Sequence, residues 1–81
     1  MAAGTFIVYL RVGCSLCDAM LDELEPYQGR PGFRLEIVDV DSSPELVALY
    51  GAKVPVLMGP EGEVSHYFLD PEALERALPP R

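Results

Sequence analysis

The sequence predicts an α/β domain: a four-stranded mixed sheet with helices on both faces, in the order β-α-β-α-β-β-α. Three observations predict it. The apolar run "TFIVYL" (Thr5–Leu10) gives way at once to apolar residues at helical spacing. A second extended run and a second short helical pattern repeat that order. A "GPEG" turn then joins two short extended runs ahead of a last helix.

Each element has a local reason. Thr5–Leu10 is β-branched, aromatic and apolar throughout, the pattern of a central strand buried on both faces. Gly13 breaks it. From Ser15, the residues Cys17, Met20, Leu24 and Tyr27 fall on one helical stripe, while Asp18, Asp22, Glu23 and Glu25 lie mostly off it. Pro26 sets the end of this helix near Glu25, because the residue before a proline avoids helical geometry. Phe33–Val40 alternates as a strand, with Leu35 and Ile37 on one side and Val38 and Val40 on the other.

Ser43 as N-cap and Pro44 at the first helical position open a second helix. Leu46, Val47 and Tyr50 form its apolar face, and Gly51 is expected to end it in the left-handed conformation. Lys53–Met58 and Glu63–Leu69 read as a hairpin across Gly59–Gly62. Asp70 caps the last helix, with Pro71 at its first position. The expected organisation is one domain over residues 1–81, with 79–81 a frayed tail.

Composition narrows the partners. The 81 residues are 49% apolar and 23% charged, which is the balance of a folded chain. Net charge is −7, and no Lys/Arg cluster exists. Nucleic acid and anionic membrane surfaces both need such clusters, so neither is an expected partner. Phe6–Leu10 is too short to span a bilayer and lacks a signal peptide's charged start, so the expected location is the cytoplasm.

Both cysteines lie in "RVGCSLC". The pair can be a redox dithiol, half of a metal site, or two core thiols. In a reducing compartment, catalysis or metal binding is favoured over a structural bridge. A closed zinc site takes four ligands, and the chain offers two cysteines and His66. No metal is therefore expected within one chain. Cys14 falls at the start of a helix, where free N–H groups and the helix dipole favour a thiolate. Arg11 adds a nearby positive charge; Asp18 opposes it. Cys17 falls one turn deeper, on the buried stripe. Cys14 is thus the expected nucleophile and Cys17 the resolving thiol. In "KVPV", Pro55 withholds a ladder N–H at a strand start, leaving the Val54 backbone open to an extended substrate. The Val54–Pro55 peptide can be cis, or it can be an ordinary trans edge-strand bond.

Taken together, "CSLC" after a strand and "VDVDSSPELVALYGAKVPVLMGPEGEV" resemble the glutaredoxin-like members of the thioredoxin superfamily, from Thr5 to about Leu78. The resemblance implies a thioredoxin fold, Cys14 as nucleophile, Cys17 as resolving thiol, and Pro55 in cis beside them. The expected activity is thiol–disulfide exchange on protein or glutathione mixed disulfides by a monomer with no bound cofactor. An external reductant would reopen the disulfide.

There are departures. Glutaredoxins commonly hold Pro and Tyr between the cysteines; here Ser15 and Leu16 stand there, and they are expected to set substrate identity. The Gly-Gly pair that helps glutaredoxins hold glutathione is absent around "SHYFLDPEAL", although Asp70 matches the acidic cap, and its helix N-terminus could receive a carboxylate. Glutathione is therefore a candidate co-substrate only. Lys53 is a candidate for steering its carboxylate. The rival readings are a dimeric iron–sulfur carrier using Cys14 and glutathione, and a redox-inactive scaffold.

Overall fold

The computed structural model describes residues 5–79. Its elements are β1 (Thr5–Leu10), α1 (Ser15–Leu24), a 3-10 turn (Glu25–Tyr27), β2 (Arg34–Asp39), a second 3-10 turn (Val40–Ser42), α2 (Pro44–Tyr50), β3 (Val56–Gly59), β4 (Gly62–His66) and α3 (Pro71–Ala77). The sheet order is β2-β1-β3-β4. β1 pairs parallel with β2 and antiparallel with β3, and β3 pairs antiparallel with β4. This is the expected mixed α/β sheet.

The core lies on one face. Phe6, Val8 and Leu10 of β1 and Leu57 of β3 pack with Cys17, Met20 and Leu24 of α1 and Leu74 of α3. Burying each large side chain of this set contributes roughly 1.5–3 kcal/mol. The opposite face is thinner. There Tyr9 stacks on Tyr50 of α2, with ring centroids 4.3 Å apart. Val56, beside Tyr9 in register, is buried on that side.

Several expectations need correction. β1 is buried on alternate residues, with Thr5, Ile7 and Tyr9 only half-buried. The reason is the length of α2: seven residues cannot cover the whole face. β2 is an edge strand, so Ile37 is exposed, whereas Phe33 and Val40, just outside the strand, are buried. Gly51 has φ −55°, in the right-handed region, because the chain turns once more and the Lys53 N–H donates to the Tyr50 carbonyl. Ser43 holds the N-cap position, but its hydroxyl donates to the Glu45 carboxylate and does not cap the backbone.

β3 and β4 are shorter than the expected runs. β3 starts after Pro55, and β4 ends at His66 because Tyr67 has φ +64°. In the expected tail, Pro79 is exposed and its ring lies over Gly32; residues 80 and 81 fall outside the described residues. Among the described residues, no helix is long and apolar enough to cross a membrane.

Candidate active site

The register of the sheet gathers the sequence motifs at one end. β1 finishes at Leu10, β3 begins at Val56 and β4 finishes at His66. Tyr9 pairs with Val56 and Val56 with His66, so these three ends lie side by side. The turn from β1 into α1 carries the dithiol, and the stretch into β3 carries Val54 and Pro55.

Gly13 makes the first of these turns possible. Its φ is +81°, a conformation that side chains with a Cβ rarely adopt. Cys14 then takes the N-cap position of α1 in extended geometry. The Cys17 N–H donates to Cys14 Sγ at 3.2 Å, so the sulfur receives one of the helix's free first-turn donors. Both cysteines are unbonded; Cys14 is half-buried and Cys17 is 1% exposed. Burial, followed by the hydrogen bond with Cys14, pushes the Cys17 thiol up to about 11, while a backbone hydrogen bond from Arg11 pulls the other way. The nearby charges of Cys14 and Asp18 add to the rise. The two sulfurs therefore differ: one is accessible and receives a donor, and the other is protonated and shielded.

The remaining predicted residues are placed as follows. Ser15 and Leu16 are exposed in the first turn of α1. The Val54–Pro55 peptide is cis, Pro55 is buried, and Val54 packs half-buried against the core. Arg11 does not turn its guanidinium to the thiols. Its Nε donates to Asp41 Oδ2 at 3.2 Å, and its Nη2 donates to Asp41 Oδ1. Asp70 caps α3 through the Ala73 N–H at 3.1 Å, so its own carboxylate occupies the helix N-terminus expected to receive a ligand. Lys53 Nζ donates to Glu63 Oε1 at 2.9 Å, and His66 Nδ1 lies 2.7 Å from Glu63 Oε2. These two contacts, Lys53 first, hold the Glu63 carboxyl below its usual range.

The sequence reading missed Tyr67. Its N–H donates to the Pro55 carbonyl and its hydroxyl to the Ala52 carbonyl, both at 2.9 Å. One residue thus ties both ends of the Ala52–Pro55 segment. The next N–H, of Phe68, donates back to the His66 carbonyl at 2.7 Å and closes a γ-turn at positive φ. No glycine or asparagine marks this turn in the sequence.

A groove of about 790 Å³ lies between the β3–β4 hairpin and α3, and Cys14 is not among its lining residues. Among the described residues, no three His, Cys, Asp or Glu side chains gather into a metal-binding group.

Comparison with known proteins agrees with this geometry. The model of the "Glutaredoxin-like domain (DUF836)" family matches residues 5–79. The solution structure of protein Ne2328 from Nitrosomonas europaea is 38% identical, with a TM-score of 0.79, covering 93% of this chain and 91% of that one. The X-ray structure of protein XcR50 from X. campestris is 29% identical, with a TM-score of 0.70, covering 88% and 91%. The holo form of glutaredoxin C1 from Populus tremula × tremuloides shares the fold, with a TM-score of 0.56 at 12% identity over 93% of this chain and 75% of that one. No curated protein matches. The chain belongs to the glutaredoxin-like domain family.

Proposed function

We propose that this chain is a thiol–disulfide oxidoreductase. The observation that carries the reading is the unequal placement of the two sulfurs. Cys14 is reachable and accepts the Cys17 N–H, while Cys17 sits one turn away in the core. Cys14 as thiolate attacks a substrate disulfide, and the departing sulfur leaves as a thiolate that takes up a proton. Cys17 then loses its proton and attacks Cys14 Sγ, releasing the reduced substrate. The chain is left with a Cys14–Cys17 disulfide, two electrons poorer, for an external thiol reductant to reopen. The raised Cys17 thiol keeps its proton near neutral pH, so the shielded sulfur does not compete with Cys14 for the first attack.

The test is a pair of variants. Cys14→Ser should abolish turnover of a disulfide substrate. Cys17→Ser should trap the mixed disulfide on Cys14, visible as an adduct by mass. Equal residual turnover in the two variants would sink the assigned order of attack.

A further inference from the structure

Four of the seven exposed large apolar side chains among the described residues stand at the end of the sheet that carries the dithiol: Val12, Leu16, Tyr67 and Phe68. Val12 is 80% exposed and Phe68 67%. Apolar surface gathered around a reactive centre marks a place where something apolar docks. Phe68 is held there by its neighbour. The γ-turn at Tyr67 is fastened at Ala52, Pro55 and His66, and the Phe68 side chain that follows it is exposed. This costs backbone strain at a tyrosine in left-handed geometry.

The charges at the same end argue against a small anionic ligand. Its two cations are engaged: Arg11 with Asp41, and Lys53 with Glu63, which also contacts His66. The other described cations lie elsewhere. Arg34 is in register with Thr5 at the far end of β1, Arg30 bonds Glu75, and Arg76 lines the groove beside the β3–β4 hairpin. The chain as a whole carries −7. Glutathione disulfide is a net anion, since each of its glutathione halves presents two carboxylates and one ammonium group. It meets repulsion at long range and, among the described residues, no unengaged cation at this end of the sheet.

We infer that the disulfide presented to Cys14 belongs to a polypeptide whose cysteine is flanked by apolar side chains, that Phe68 is the contact that reads them, and that glutathione disulfide is the poorer substrate. This rests on the thiol–disulfide reading above. The step is the one already written: the substrate S–S bond breaks, the Cys14–Cys17 bond forms, and the dithiol supplies both electrons.

The experiment is single-turnover oxidation of the reduced full chain by three probes. One is a symmetric peptide disulfide with valine and leucine beside the cysteine. The second is the same peptide with glutamate in those places, and the third is glutathione disulfide. The apolar peptide should react at least about tenfold faster than glutathione disulfide, a ratio equal to about 1.4 kcal/mol. Phe68→Ser should reduce that ratio about tenfold, which is within what desolvating one aromatic ring supplies. Phe68→Leu should keep most of it. The Cys14–Cys17 potential should not move in either variant. Glutathione disulfide matching or outpacing the apolar peptide overturns the inference, as does an unchanged ratio in Phe68→Ser. Failure of the reduced chain to react with any of the three probes removes the redox reading itself, a separate and recognisable result.

Discussion

The backbone N–H of Cys17 donates to the sulfur of Cys14 across 3.2 Å, while the side chain of Cys17 is buried beneath it. One residue thus serves the Cys14 sulfur with its backbone and the core with its thiol. That arrangement follows from helix geometry: residues three apart sit one above the other, and the N-cap atom faces the first-turn donors. The sequence spacing of the pair dictates it once the helix begins at Ser15.

Alkylation should report the difference directly. With iodoacetamide near neutral pH, Cys14 should be modified first and Cys17 should stay unmodified while the chain is folded. Peptide mass mapping over time checks this. Modification of Cys17 first, or of both at one rate, would contradict the placement of the two sulfurs.

Stability should depend on pH through Cys17. Its thiol ordinarily titrates near 9.0 and is pushed up to about 11 in the folded chain, chiefly by burial. The folded state therefore holds this proton more tightly than the unfolded state. The resulting stabilisation is fully present below pH 9 and is lost as pH rises through about 11. Its size is roughly 2–3 kcal/mol at most, from a shift of about two pH units. Tyr9, raised by burial and by Tyr50 and Glu36, acts in the same direction. The difference between the reduced wild type and Cys17→Ser in urea unfolding from pH 8 to 11 isolates Cys17. A flat difference would refute the assignment.

Much of this was legible in the sequence where the signal was local. The strand at Thr5, the helix from Ser15, the Asp70 cap and the order of the elements follow from neighbouring residues alone. What was not legible depends on residues far apart in the chain. Arg11 reads as a helper of Cys14, yet its partner Asp41 lies thirty positions on, and their pairing exists only because β1 and β2 are adjacent. Lys53 finds Glu63 across the β3–β4 hairpin in the same way. Tyr67 was hidden for another reason: its positive φ is imposed by bonds to Pro55 and Ala52, against the residue's own preference. Ile37 fits a buried strand by pattern, and only the position of β2 at the sheet edge exposes it.

Asp70 separates cap from ligand site. Because its carboxylate accepts the Ala73 N–H, Asp70→Ala should cost about 1 kcal/mol of stability. The rate of Cys14 with a peptide disulfide should be unchanged. Denaturant unfolding together with single-turnover oxidation checks both. A slowed reaction without loss of stability would return Asp70 to substrate binding.

Gly32 tests the packing of the chain end. Its φ is +81°, and a Cβ there would clash with the ring of Pro79. Gly32→Ala combines an unfavourable backbone with a clash and should destabilise by at least about 1 kcal/mol. Far from the dithiol, it should leave the Cys14–Cys17 potential unchanged. A stability equal to wild type would contradict the contact with Pro79.

The central claim is that Cys14 and Cys17 form a reversible redox couple. Equilibration of the full chain in thiol–disulfide buffers of graded potential, with each species scored by mass, tests it most directly. The account predicts a two-electron transition between the dithiol and an intramolecular disulfide lighter by two hydrogens, with Cys14 carrying any mixed disulfide on the way. A chain that stays reduced across the whole range, or that accumulates mixed disulfide on Cys17, would contradict it.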